Sequence, residues 1–235
     1  MKKDSKKRIL FVIIFIVLGL AVSRIYISPI LGSKQSFTPF EFLGPTAGMF
    51  LGSIPGAISV FFVKLFSAIF THQKFDITTI VRLFPMMLAA IYFGLNKSRK
   101  LNKLILIIPI IAILLFIAHP EGGRVWFYSL YWLIPVICFF KKDRLILNAL
   151  GSTFTAHAVG SVAFLYAFNL PASVWIALIP IVFIERMLFA LGIWATYLVL
   201  NTVLNKLVAR GKISILKSLV NPRYIFSPNF FRFYA

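Results

Sequence analysis

Acids are nearly missing from this chain: six Asp and Glu stand against 25 Lys and Arg among 235 residues. A water-soluble globule would also lack polar surface, because 60% of the residues are hydrophobic and 26 are Phe. The composition is that of a polytopic membrane protein. Cysteine is scarcer still, with Cys138 alone in an apolar segment, so neither a disulfide nor a cysteine-based metal site can be argued. The three His include no pair at metal-ligand spacing, and neither metal nor cofactor is expected. The Gly-x-x-x-x-Gly-Lys-Ser/Thr loop occurs nowhere, which excludes ATP hydrolysis by that route.

A net charge of +19 suggests nucleic acid, but 18 of the 25 basic residues fall in four clusters, 2–8, 97–103, 141–144 and 206–232, between apolar runs or at their ends. That is how loops held on the cytoplasmic side look, and no nucleic-acid partner is inferred. The first apolar run, 9–31, follows Lys2, Lys3, Lys6, Lys7 and Arg8. It is longer than a signal-peptide core, lacks a small-residue cleavage site and leads into further spans, so it is read as a retained helix. The later runs are 40–70, 77–95, 104–118, 125–140, 146–168 and 174–208. The expected organisation is a basic cytoplasmic N-terminus (1–8), one all-α helical membrane domain (9–208) and a basic, aromatic cytoplasmic tail (209–235) at the inner interface.

The stretch LGSIPGAISV, 51–60, interrupts the run 40–70 with turn residues. If that run crossed once from a cytoplasmic N-terminus, the 13 basic residues of 97–103, 141–144 and 206–232 would lie outside. If it goes in and back, every cluster lies inside. A straight helix of that length would span about 46 Å against a hydrocarbon core of about 30 Å. Pro55 lacks a backbone N–H, and Gly52 and Gly56 permit positive φ, so Gly52–Gly56 is expected to be a cytoplasmic turn between two shorter helices. About eight membrane segments then result, with both termini inside. The rival is a seven-span chain with its N-terminus outside, which misplaces only the first five basic residues.

Charged side chains inside apolar segments cost about 2.5–3.5 kcal/mol each at mid-helix unless paired or hydrated. The clear cases are Lys64, Arg82, Glu185 and Arg186, with Glu41 near the outer start of its helix and His157 as a titratable neutral group. At the helical rise, Arg82 lies roughly 8 Å below the outer end of its segment, and His157 and Glu185 roughly 16 Å below theirs. Lys64, Arg82, His157 and Glu185 are therefore the candidate substrate-binding residues. Thr153, His157 and Ser161 form one polar stripe, Glu185, Gly192 and Thr196 a second, and Ser53, Lys64, Ser67 and Thr71 a looser third. Arg186, about 100° around the helix from Glu185, is expected to face elsewhere, leaving Lys64 and Arg82 as partners for Glu185. The plainer alternatives are that these charges form ion pairs fastening helices, and that His157 bonds one helix to the next. HPEGGR, 119–124, reads as a tight external loop. Trp126, Tyr128, Tyr131 and Trp132 beside it read as an interfacial belt, as do Arg24 and Tyr26.

The stretch FEFLGPTAGMFLGSIPGAISVFFVKL, 40–65, carries a Gly/Pro pattern twice, as GPTAG and GSIPG. With a first helix, an extended outer loop and a short second helix, it resembles the S components of energy-coupling-factor transporters, small membrane proteins that capture vitamins and other micronutrients. LNALGSTFTAHAVGSV and WIALIPIVFIERMLFALGI are similar to the last two helices of that family. The family usually has six helices, and this chain inserts an extra hairpin, 104–140. Its first helix commonly presents small residues four apart to a membrane scaffold, and Gly19 and Ser23 offer that spacing for partner docking.

What the resemblance implies is a substrate-capture subunit of a micronutrient importer in a prokaryotic plasma membrane. It would bind a small molecule from outside and depend on separate scaffold and ATPase subunits. The residues themselves signal no nucleophile or metal set, so the chain is not expected to be an enzyme. An intramembrane enzyme using His157 or Glu185 as base, or a ligand-free assembly protein, are the alternatives.

Overall fold

Each apolar run folds as helix, but few fold as one unbroken helix. The computed structural model describes residues 2–29, 36–97, 104–141, 143–211 and 214–226. Helix α1 (Lys2–Val22) stops nine residues short of the expected end, where the polar Ser23 closes its hydroxyl onto the Gly19 carbonyl at 2.7 Å. The chain continues as the extended pair Ser28–Pro29 (β1) and Ser36–Phe37 (β2), antiparallel and two residues long. All other regular structure among the described residues is helical.

The run 40–70 does turn back on itself, in pieces: α2 (Phe40–Leu43), α3 (Thr46–Leu51) and α4 (Ser53–Phe70). The expected five-residue turn shrinks to Gly52, whose φ of 95° a side chain would resist. Ser53 to Gly56 belong to the first turn of α4, where Pro55 forfeits no helical hydrogen bond. The glycines serve close approach instead. A methyl group on Gly56 would lie 2.6 Å from the Gly48 backbone, and one on Gly48 would collide with the Ala90 carbonyl. Three helices thus cross at bare backbone, and Ser53 Oγ adds a 3.1 Å bond to the Ile91 carbonyl.

Asp76 starts α5 (Ile77–Val81) by accepting from the Thr79 amide at 2.8 Å, which holds its carboxyl below the usual range. After a break at Arg82 come α6 (Phe84–Phe93) and α7 (Ile107–Ala118). The expected loop 119–124 is instead a short helix, α8 (Pro120–Arg124), because Pro120 suits its first turn and His119 Nδ1 accepts from the Glu121 amide. A 3₁₀ segment, Trp126–Trp132, leads into α9 (Leu133–Phe139), followed by α10 (Leu145–Phe168) and α11 (Ala172–Ala209). Helices α4, α10 and α11 are long and apolar enough to cross a membrane, which makes this a helical membrane protein. Their outer faces are apolar too: Ile58 and Phe62 on α4, and Ile184 and Leu188 on α11, are exposed.

The two ends of the bundle differ. At one, Asn148 Nδ2 donates to the Phe93 carbonyl at 2.9 Å and Tyr224 Oη to the Asp143 carbonyl at 2.8 Å. The fully buried Asn201 there binds Asn221 and Tyr224, clasping the chain after α11. Lys141, Arg144 and part of the tail gather at this end, whereas 98–103, Lys142, 212–213 and 227–235 lie outside the described residues. At the other end, Glu121 Oε2 accepts from the Ala172 amide at 2.8 Å and ties the start of α11 to α8.

Gly19 corrects the docking expectation. It is buried within its own chain, where an added methyl group would lie 2.9 Å from Phe40 and 3.0 Å from Val63. The small-residue spacing with Ser23 lets α1 approach α2 and α4, a packing that lipid cannot supply.

Gly48→Ala is expected to lower stability by about 3 kcal/mol, since backbone on both sides must move to admit the methyl group. Gly160→Ala, whose added carbon meets only Pro85 at 3.7 Å, is the control and should unfold at or above the wild-type temperature. Thermal unfolding in one detergent checks both, and equal melting temperatures would refute the crossing as a packing constraint.

Candidate functional site

Four side chains from distant parts of the sequence, Lys64, Arg82, His157 and Glu185, line one cavity of about 230 Å³. Lys64 comes from the middle of α4 and Arg82 from the break before α6. His157 comes from the middle of α10, and Glu185 from α11 about three turns below its start. The volume is just under the lower end of ligand pockets, about 300 Å³, so the space suits a small molecule. Phe164, Trp175, Leu178 and Ile181 form its apolar wall.

The pairing of charges differs from the expected one. Lys64 Nζ bonds Glu41 Oε1 at 2.7 Å, with both side chains largely buried, and Glu41 also attracts Arg82. Glu185 Oε2 pairs with Arg186 Nη2 at 2.5 Å, so the residue expected to turn elsewhere is the partner. Adjacent Cβ atoms on a helix do diverge by about 100°, but an arginine is long enough to swing its fork back across that angle. The Arg186 guanidinium lies 4.3 Å from the Phe189 ring centre and 5.5 Å from that of Phe37. Its Nη1 reaches Thr153 Oγ1 at 3.4 Å, while its buried Nε has no hydrogen-bond partner. With Arg186 and Glu41 included, three cations and two carboxylates line the cavity.

His157 sits in a network that determines where its proton is. The Trp132 indole N–H, a donor only, reaches His157 Nδ1 at 3.1 Å. Nδ1 therefore offers its lone pair, the ring is neutral, and the proton is on Nε2. That nitrogen lies 3.0 Å from Tyr128 Oη and 3.2 Å from Ser161 Oγ.

Several aromatic residues thereby change role. Tyr128 and Trp132, expected in an interfacial belt, are 1% and 0% exposed and hold His157, whereas Trp126 is exposed. Tyr131 donates to the Ile179 carbonyl at 2.9 Å. The stripe Thr153, His157, Ser161 does face the site. The stripe Glu185, Gly192, Thr196 does not act together, since Gly192 packs against the Phe42 ring. Of the third, Ser53 bonds at the far end of α4, and Lys64, Ser67 and Thr71 line a second hollow.

This second hollow, about 530 Å³, opens between the ends of α1 and α4 and the start of α5. Arg24, Lys64, Lys74 and Arg82 line it against one acid, Asp76. Lys64 and Arg82 line both spaces and stand between them. Arg24, expected at the interface, lines this hollow. Among the described residues, no three His, Cys, Asp or Glu side chains are grouped as a metal site needs.

An uncharacterized protein of Methanocaldococcus jannaschii is 31% identical to this chain over 176 residues, which is 67% of this chain and 58% of that protein. The chain thus spans less than two thirds of the length of the relative it matches. No family model matches the sequence. No solved structure matches it either.

Arg186→Leu should cost about 3 kcal/mol of stability, because it strands the Glu185 carboxylate; that is the lower end for a broken buried pair, as the Glu185 side chain is 25% exposed. Arg186→Leu with Glu185→Leu should recover most of the loss. Chemical denaturation of both variants checks the pairing, and a double variant no more stable than the single one would contradict it.

Proposed function

We propose that this chain is the substrate-capture subunit of a micronutrient importer of the energy-coupling-factor type. One observation carries the reading: the four residues singled out by their cost in an apolar segment converge on a single small cavity. The hollow with Arg24 and Lys74 is its outer vestibule, and the turn at Gly52 and the Asn201 clasp lie on the cytoplasmic side. The chain then forms about eight membrane segments with both termini inside, and energy comes from separate scaffold and ATPase subunits. Gly19 is occupied by its own chain, so the scaffold is met through another surface, and the exposed apolar side of α1, with Ile13 and Val17, is one that remains open.

The network around His157 favours capture over catalysis. A general base needs a free lone pair, whereas Nδ1 accepts from Trp132 and Nε2 carries the proton.

Two measurements test this reading. In a Cys138→Ala background, a cysteine at Gln73 should react with an impermeant thiol reagent applied to intact cells, and one at Arg210 should stay protected. Affinity purification of the full chain from its native membrane in mild detergent should bring an ATPase pair and a membrane scaffold. Labelling at position 210 defeats the topology, and a chain recovered alone defeats the importer assignment.

A further inference from the structure

We infer that the cavity takes a small amphipathic monoanion, a carboxylate on an apolar or aromatic body, with the carboxylate facing Tyr128, Ser161 and Arg186. This deepens the capture reading and rests on it for the direction of access.

The first support is a count of protons. His157 Nε2 has both Tyr128 Oη and Ser161 Oγ within hydrogen-bond distance, and the three groups bring three protons: one N–H and two O–H. With Nδ1 accepting from Trp132, the imidazole offers no lone pair to the two hydroxyls. The N–H is used on an oxygen, and even if one O–H turned to the other oxygen, the second O–H would have no acceptor in the trio. One hydroxyl proton is left over. Both hydroxyls belong to residues that line the cavity, so the trio presents a donor to it.

A second group makes the same demand. Arg186 is 6% exposed, lines the cavity, and has an Nε–H with no partner. A buried donor left unmade is costly, and a cation's donor more so, which selects a ligand that supplies an acceptor. Both carboxylates of the lining are already bonded, Glu41 to Lys64 and Glu185 to Arg186. One carboxylate brings two acceptor oxygens, enough for the Arg186 Nε–H and the leftover hydroxyl together. A cationic or donor-rich ligand would meet the wrong groups.

The apolar wall and the small volume set the rest of the molecule. Trp175 and Phe164 suit an aromatic or short aliphatic body. The vestibule fits the same cargo, since four basic residues against one acid concentrate anions at its mouth.

The test uses three probes with one skeleton: 3-phenylpropionate, 3-phenylpropan-1-ol and 3-phenylpropylamine. The full-length chain in phosphatidylcholine nanodiscs is titrated with each, read by tryptophan fluorescence, which Trp175 in the wall makes sensitive, and by thermal shift. The carboxylate should bind at least about tenfold more tightly than the alcohol, with no response to the amine. Tyr128→Phe and, separately, Ser161→Ala should narrow the gap between carboxylate and alcohol while leaving alcohol binding in place. Equal binding of the alcohol, preference for the amine, or no response to the carboxylate overturns the assignment even if the variants do not fold. Loss of the carboxylate response when phosphatidylglycerol replaces phosphatidylcholine makes the occupant a lipid headgroup and overturns it too. Carboxylate selectivity in a chain recovered without ATPase partners leaves the ligand assignment standing and removes the importer. ATPase partners with alcohol or amine preference do the reverse.

Discussion

A charge drawn into hydrocarbon must bring its counter-charge with it, and this constraint organises the centre of the molecule. Lys64 is tolerable on α4 because Glu41 lies on α2, and Arg186 on α11 because Glu185 precedes it and two phenyl rings flank it. The first pair needs neighbouring helices at close range. Gly48 of α3, Gly56 of α4 and Gly94 just after α6 provide that range by letting backbones touch, and the α2–α3 piece, too short to span lipid, stays sheltered because of it. Packing and electrostatics are therefore not separable here: without the backbone crossing, Glu41 would not face Lys64.

How much could be read from the residues alone varies with the physics involved. Lys64, Arg82, His157 and Glu185 stand out because ionisable groups in apolar runs are expensive, and depth along a helix follows from its rise. Their partners do not follow, since a long side chain reaches around a helix and the spacing of Cβ atoms does not limit its tip. Arg186 shows this directly. Tyr128 and Trp132 were hidden for another reason: an aromatic residue at the start of an apolar segment has one composition whether it faces headgroups or a buried histidine. Only the fold tells the two apart.

The glycines repeat the lesson on the scale of the backbone. A small-residue spacing such as Gly19 and Ser23 announces that something packs closely, without saying whether it is a second protein or the chain itself. In this bundle it is Phe40 and Val63. The turn sequence at 52–56 likewise announces a reversal, while its residues beyond Gly52 turn out to start a helix. Local chemistry states what is permitted, and contacts between distant residues choose among the permitted outcomes.

Helix α11 is far longer than a bilayer requires, about 57 Å for 38 residues against a core of about 30 Å. Its surplus carries Asn201, which grips the polypeptide as it leaves the helix. Between Arg186 at the cavity and this grip run about 23 Å of helix with no proline. A stiff shaft of that kind turns as one body. Whatever turns Arg186 therefore turns the terminal clasp at the other end of the bundle with it.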